Sequence, residues 1–425
     1  MKNFVINKLP KNKFVQHVGI LVGGTAIGQL INILTLPILT RLYSPEAFSV
    51  LAVYVSALAL LTVVSGMCFE YAIPLPKSDR IAAALLLLAI TSVLVFTSLT
   101  TLAVIFIPNV FNALTDGKIN QYVWLLPMGV FSVGMYNALQ YWSTRNKKFG
   151  LIAKTRVTQS LSGTSVKLGS GYLFDGAALG LIFGQLLAQG AGFLSLGMSL
   201  LKNDLKIFNR VKPKYLYLAL KRYDQFPKFT SLEVFTNTAS IQIPIILIAY
   251  YAVNSEAGHM MIAMQLLAAP MGMISGAVSQ VYLAEAADKF HQGYLKEFTK
   301  KTIKNLMKIA FLPSLIIAIV APISVPYLLG NEWSRTGILI SWMIPWFLMQ
   351  FITSPVSTSL YITKNQKLAF FLQFIGLIIR VGAVYIAALF FNERIGEFYA
   401  VSGFVFYSIY LFVVLKVISK IQDKY

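Results

Sequence analysis

Long apolar stretches recur along the whole chain and are separated by short polar segments. Those of the first half lie near residues 15–37, 47–69, 81–107, 122–142, 151–173 and 176–201. Those of the second half lie near residues 226–252, 257–284, 306–330, 337–363, 367–391 and 396–418. Each is long enough to cross a bilayer, which takes about 20 residues of α-helix. The pattern predicts an all-α, polytopic membrane protein with about twelve transmembrane helices.

Composition supports this prediction. Hydrophobic residues make up 57% of the 425 residues and charged residues only 12%, whereas a soluble domain has about 25% charged residues. Cys68 is the single cysteine, so an intramolecular disulfide is excluded, and the three histidines show no metal-binding spacing. We therefore expect neither a metal site nor another cofactor.

The basic residues are distributed unevenly along the chain. A net charge of +20 would indicate nucleic-acid binding in a soluble protein. Here, however, 26 of the 36 Lys and Arg residues lie in the termini and in alternate connecting segments, and only four lie in the other connections. Because basic segments stay in the cytoplasm, we expect both termini and the longest connection, 202–222, to be cytoplasmic, with no nucleic-acid partner.

The basic segment 202–222 divides the chain into two sets of six spans. Ser65-Gly66 matches Ser275-Gly276, and Glu46-Ala47 matches Glu256-Ala257 at the same offset of 210 residues. The two halves would then run in the same direction, as in transporters built from parallel repeats with the substrate site between them. We predict a six-helix lobe over residues 1–215 and a second over residues 216–425.

The fifth span carries two cations and a polar stripe. Arg156 and Lys167 are 11 residues apart, which places them on nearly the same helix face about 16 Å apart. The same face carries four small or polar residues: Gln159, Ser160, Gly163 and Thr164. Such a face must point into a cavity or a protein interior rather than into lipid. Alternatively, Arg156 lies near the membrane surface and extends its guanidinium to the headgroups.

The first span shows a milder polar face, which consists of Thr25, Gln29 and Asn32. Gly24 and Gly28 are spaced for close packing of helices. Arg41 follows at the predicted external mouth. We count Gln29, Asn32 and Arg41 as candidate cavity residues, although Arg41 could equally anchor the helix at the interface.

Two spans of the second half carry charged residues. In the seventh span, Glu233 and Asn237 share a face, and an acid inside a span is a functional candidate. Glu233 could bind a coupling proton or cation, or could pair with Lys228. In the eleventh span, Arg380 has no local partner, so that a cavity or a distant acid would have to satisfy it. We count Asn237 and Arg380 among the candidate cavity residues, together with four residues of the fifth span: Arg156, Gln159, Thr164 and Lys167.

Several motifs resemble one known family. Two stretches carry most of the resemblance: Gly24-Thr-Ala-Ile-Gly-Gln29 and Leu36-Pro-Ile-Leu-Thr-Arg-Leu-Tyr-Ser-Pro-Glu-Ala-Phe48. Further similar stretches follow in the same order: 70–76, 225–229, 240–244, 268–270 and 279–282. They resemble Wzx-type flippases of O-antigen and capsule repeat units, which belong to the multidrug/oligosaccharidyl-lipid/polysaccharide (MOP) exporter superfamily. The chain departs at Ser49, where the family usually has glycine.

The resemblance implies a MATE-like fold and a specific function in the bacterial inner membrane. Such flippases move an undecaprenyl-pyrophosphate-linked oligosaccharide from the inner to the outer leaflet by alternating access. The residues suit this substrate, because Asn, Gln, Ser and Thr bind sugars while Arg and Lys bind pyrophosphate. The implied partners are this lipid-linked substrate, membrane lipids, H+ or Na+ as coupling ion, and polysaccharide polymerase or chain-length proteins.

Two other functions stay open at this point. A drug/cation antiporter of the same superfamily would need a buried carboxylate in its cleft, whereas the first half of this chain is cationic there. A polymerase or ligase acting on polyprenyl-linked glycans would need a long external loop with catalytic groups. The connections in this chain are short, so we expect a protein that is not an enzyme.

Overall fold

A computed structural model describes residues 13–209, 211–252, 255–363 and 365–422. The helices of the first half are α1 (Lys13–Leu42), α2 (Pro45–Thr62), α3 (Phe69–Ala72), α4 (Asp79–Phe106), α5 (Pro108–Thr115), α6 (Leu126–Arg145), α7 (Phe149–Leu173), α8 (Ala178–Asn203), α9 (Leu205–Phe208) and α10 (Pro213–Arg222). Those of the second half are α11 (Ser231–Tyr251), α12 (Glu256–His291), α13 (Leu295–Leu329), α14 (Ser334–Ser357), α15 (Ser359–Ile362), α16 (Gln366–Phe390) and α17 (Ile395–Gln422). A π-helical turn, Phe226–Thr230, leads into α11.

The long helices confirm the all-α membrane fold. Within the described residues, eleven helices have the length and apolar character needed to cross a membrane. The one predicted span that is not among these eleven is the fifth. It corresponds to α7, which has 25 residues but falls short in hydropathy because of its polar stripe. Outward-facing apolar side chains cover the lipid-facing surface; on α13 they include Leu312, Ile316, Ile319 and Ile323.

The predicted second span, 47–69, is wrong at its end. Helix α2 stops at Thr62, and the chain turns before α3 begins at Phe69. Met67 and Cys68 have positive φ angles of 52° and 56°, a conformation that is uncommon for residues other than glycine. Hydropathy did not reveal this break, because its residues are as apolar as those of the helix.

The two halves repeat the same packing. In each half the first long helix packs on the fifth, the fifth on the sixth, the third on the fourth, and the fourth on the sixth. Between the halves, α2 packs on α11 and α12, and α1 contacts α12 and α13. This arrangement agrees with a parallel repeat, while the division at residue 215 stays a prediction.

The topology can be tested with two matched cysteines. We expect Asn392→Cys to react with an impermeant thiol reagent added to intact cells, and Asn203→Cys to react only after permeabilisation, because the charge distribution places the two sites on opposite sides. Both residues are exposed. The background is Cys68→Ser, which removes the single cysteine. Labelling of residue 203 from outside would contradict the topology.

Candidate functional site

A cavity of about 580 Å³ opens among α1, α2, α7 and α8, and α12 contributes to one wall. Its polar lining consists of Thr25, Gln29, Asn32, Thr35, Arg156, Gln159, Ser160, Thr164, Lys167, Gln185, Gln189 and Gln265. None of the described residues that line it is acidic. The cavity is therefore polar and positively charged.

Small residues let α7 pack closely between α1 and α8. A Cβ atom added at Gly24 would lie 2.5 Å from the Cβ of Ala153, and one at Gly163 would lie 2.9 Å from the Cβ of Ala188. These distances leave no room for a larger side chain. The close approach confirms the predicted packing role of Gly24 and fixes the polar face of α7 toward the cavity.

Arg156 and Lys167, the two cations of α7 that line the cavity, have few partners. The guanidinium of Arg156 donates a hydrogen bond to the Thr25 hydroxyl. The Lys167 ammonium has no hydrogen bond or ion pair among the described residues, although its backbone carbonyl accepts one from the Tyr43 hydroxyl at 2.6 Å. Neither cation pairs with a carboxylate in the described part of the chain. Two positive charges thus face the cavity without a protein counter-charge.

Amide and hydroxyl groups fill the space between these cations. The Gln159 amide nitrogen donates to the Gln189 carbonyl oxygen at 3.3 Å, and the Thr164 hydroxyl lies 3.5 Å from the Asn32 carbonyl oxygen. Such groups both donate and accept hydrogen bonds, so they can replace their bonds to one another by bonds to the hydroxyls of a ligand. The lining is suited to a polar, anionic ligand.

The cavity contains six of the ten predicted site residues: Arg156, Lys167, Gln159, Thr164, Gln29 and Asn32. The structure does not bring the other four to it. Arg41 and Asn237 are exposed on their helices, and Glu233 is half-buried in the first turn of α11. The fourth, Arg380, is enclosed elsewhere.

The pairing considered for Glu233 is wrong. The ammonium of Lys228 binds the Asp224 carboxylate at 2.6 Å instead. Asp224 lies four residues before Lys228, one turn away, and this local partner is closer than an acid on the following helix. Glu233 consequently has no ion pair with Lys228, and a coupling role for it stays a prediction.

The expectation that a cavity or an acid satisfies Arg380 is not met within the described residues, where it forms no ion pair and its buried Nε has no hydrogen-bond partner. This side chain is only 2% exposed. Its guanidinium lies 3.3 Å from both the backbone oxygen and the hydroxyl of Ser240. The rings of Trp346, Phe406 and Tyr407 surround it at 5.2, 4.9 and 5.7 Å. Aromatic faces attract a cation in this way, so that Arg380 joins helices of the second half.

Sequence reasoning missed three glutamines of the cavity: Gln185 and Gln189 on α8, and Gln265 on α12. The first two are four residues apart and therefore share a helix face, a signal that could have been noticed. Gln265 is an isolated polar residue in an apolar span. Only the packing of α12 against α2 reveals its position.

One end of the cavity is closed by contacts between the halves. The Trp333 indole donates to the backbone oxygen of Thr40 at 2.9 Å, and its ring packs edge-on against Phe48 at 5.2 Å. The Ser255 hydroxyl donates to the Glu46 carboxylate at 2.6 Å. We call these five residues the gate cluster. Phe48 also lines the cavity, which places the gate cluster directly at its end.

The fold and the cavity define a multi-pass membrane protein with the fold of the MOP transporter superfamily. The sequence model of a family described as polysaccharide biosynthesis protein matches residues 38–337. The chain therefore belongs to the polysaccharide biosynthesis protein family. It matches no curated protein sequence.

Solved structures share the fold at low sequence identity. The chain is similar to an inward-facing multidrug resistance MATE family transporter of the MOP superfamily, with a TM-score of 0.70, 13% identity, and 95% of this chain and 94% of that chain covered. It is similar to the lipid II flippase MurJ in an inward closed conformation, with a TM-score of 0.67, 15% identity, and 96% of this chain and 90% of that chain covered. It is also similar to a MOP superfamily transporter from Pyrococcus furiosus, with a TM-score of 0.61, 15% identity, and 96% of each chain covered.

The gate cluster predicts the effect of a single substitution. Trp333→Phe keeps a ring but removes the hydrogen bond to Thr40, which contributes about 1 kcal/mol and corresponds to about a fivefold change in an equilibrium. The reporter is Leu39→Cys, at a buried cavity position. We expect its thiol to react with an impermeant reagent added outside cells about fivefold faster when Trp333→Phe is also present than when Trp333 is intact. Trp342→Phe serves as the control, because Trp342 is half-exposed and lies on α14, which begins directly after Trp333. Equal rates in all three proteins would contradict the gate.

Proposed function

We propose that the protein is a flippase that moves an undecaprenyl-pyrophosphate-linked oligosaccharide from the inner to the outer leaflet of the bacterial inner membrane. The observation that carries this proposal is the cationic cavity, whose described lining contains Arg156 and Lys167 but no acid. Membership of the polysaccharide biosynthesis family supports a glycan as the cargo.

The charges of the cavity match those of the proposed substrate. An unpaired cation within a membrane costs roughly 2.5–3.5 kcal/mol on insertion scales. A pyrophosphate carries about two negative charges and can offset this cost, because Arg and Lys form charge-assisted hydrogen bonds with phosphate oxygens. The neighbouring amides and hydroxyls would bind the sugars, while the lipid tail remains in the bilayer.

The gate cluster supports alternating access. It closes the cavity at the end that the charge distribution assigns to the outside, and α1 and α2 reach it from the cavity wall. A substrate would enter from the cytoplasmic side and leave after the gate cluster opens. The coupling ion and any polymerase or chain-length partner are part of the same proposal, without an assignment of particular residues.

The competing functions have less support from the cavity. A drug/cation antiporter would attract a cationic ligand with a carboxylate, whereas the described lining is positive. A glycan polymerase or ligase would need groups for acid–base or nucleophilic chemistry in the site, and the polar part of this lining consists of amides, hydroxyls and two cations. The geometry therefore favours binding and release of an anion.

Substitution of the two cations tests the proposal. We expect Arg156→Ala or Lys167→Ala to lower surface polysaccharide about ten- to hundredfold, because a hydrogen bond to a charged group contributes about 1.5–3 kcal/mol. Arg156→Lys should restore part of the activity, since Lys gives a point charge without the bidentate geometry of Arg. The measurement is surface polysaccharide in cells with equal amounts of each variant in the membrane.

Lys154→Ala is the matched control, because Lys154 is exposed on the same helix and does not line the cavity. It should keep wild-type levels of polysaccharide. Wild-type polysaccharide in the Arg156→Ala/Lys167→Ala double variant would refute the proposed role of the cavity.

A further inference from the structure

Glu70 is a buried acid outside the cavity. It lies on the short helix α3, between the candidate membrane spans that end at Thr62 and begin at Asp79. Glu70 is only 6% exposed, and its carboxylate oxygen Oε2 has no hydrogen-bond partner among the residues that the structure describes. A buried charged carboxylate without partners is costly, so such a group takes up a proton instead.

Within the described part of the chain, no charged group forms an ion pair with Glu70. Helix α3 packs on α4, α6 and the π-helical turn 226–230. The charged groups of these elements bind other partners. Arg145 binds Asp79 and the backbone oxygens of Ile73 and Pro76, Arg80 binds the Tyr215 hydroxyl, and Lys228 binds Asp224. The titratable groups that interact with Glu70 are the thiol of Cys68 and the phenols of Tyr71 and Tyr141. All three are neutral near pH 7.

The backbone beside Glu70 is held in an uncommon conformation. Met67 and Cys68 both have positive φ angles, which for residues other than glycine costs energy and persists only when the surroundings enforce it. The carboxylate packs so closely on Gly66 that an added Cβ there would lie 2.4 Å from Oε2. The carboxyl group of Glu70 thus packs directly against the break between α2 and α3.

Helix α2 links this break to the functional site. Phe48 at its beginning belongs to the gate cluster, and Leu51 and Val55 line the cavity. The same helix packs on α11 and α12 of the second half. A change at the end of α2 can therefore reach both the gate and the interface between the halves.

We propose that Glu70 is a proton-binding site, and that loss of its proton loosens the break between α2 and α3. The burial of the side chain, its unpartnered oxygen and the uncommon backbone conformation beside it carry this inference. Use of the site to drive transport rests on the proposed function, but proton binding itself does not. Glu233, the acid singled out in the sequence, is only half-buried and lacks such an enclosure.

The direction of the pH effect follows from burial. Burial raises the pKa of Glu70 to about 7, whereas an opened break would return it toward about 4.3. The closed form therefore binds more protons between these values, and opening becomes more favourable as the pH rises from about 4.3 to about 7. Burial also raises the pKa of Cys68 to about 12, so that this thiol reacts slowly until the break opens.

The single cysteine reports on this opening without any added label. We would compare the rate at which Cys68 reacts with N-ethylmaleimide in the purified wild-type protein and in Glu70→Gln, at about pH 6 and about pH 8. The rate of the wild type divided by that of Glu70→Gln should rise about tenfold from about pH 6 to about pH 8, because only the wild type can lose a proton from residue 70. Glu332→Gln, an exposed acid of the second half, should behave like the wild type. A ratio that stays constant would overturn the proposal.

A second measurement needs no variant, in case Glu70→Gln does not fold. Hydrogen exchange of the backbone amides of residues 63–72, corrected for the intrinsic effect of pH, should show protection that falls about tenfold from about pH 6 to about pH 8. Unchanged protection would equally overturn the proposal. Neither experiment uses the lipid-linked substrate, so its outcome is independent of the test of the proposed function.

Discussion

The structure depends on one constraint, which is that α7 carries Arg156, Lys167 and the polar stripe between them through a membrane. A helix of this kind is stable only if its polar face is kept away from lipid. The glycines at positions 24, 163 and 184 allow α1 and α8 to pack closely on either side of α7. This enclosure produces the cavity, and the absence of acids from its described lining leaves the cavity positive.

The spans and the orientation of α7 could be predicted from the sequence, because both follow from local patterns. Apolar length predicts a crossing helix, and the spacing of Arg156 and Lys167 predicts a common face. The break after Thr62 could not be predicted from hydropathy, because the residues of this break are apolar too. Gln265 was missed because its place in the cavity depends on the contact of α12 with α2, which is distant in sequence.

Arg156 and Arg380 show why the candidate site was predicted only in part. In sequence both are arginines inside a span, and both were taken as cavity residues. In the structure Arg156 points into a polar cavity, whereas Arg380 is enclosed by three aromatic rings and Ser240. The difference comes from side chains on α11, α14 and α17, and no local pattern around residue 380 indicates which of them will surround it.

The two cations in the cavity also have an electrical consequence. A fixed charge that moves through a membrane potential gains or loses about 2.3 kcal/mol per 100 mV. If the cavity alternates between the two sides, it carries the charges of Arg156 and Lys167 through part of this field, and a bound pyrophosphate cancels most of them. The loaded step would then be nearly electroneutral, and the return of the empty cavity toward a negative cytoplasm would be driven by the potential. The voltage of the membrane would thereby set the direction of the cycle.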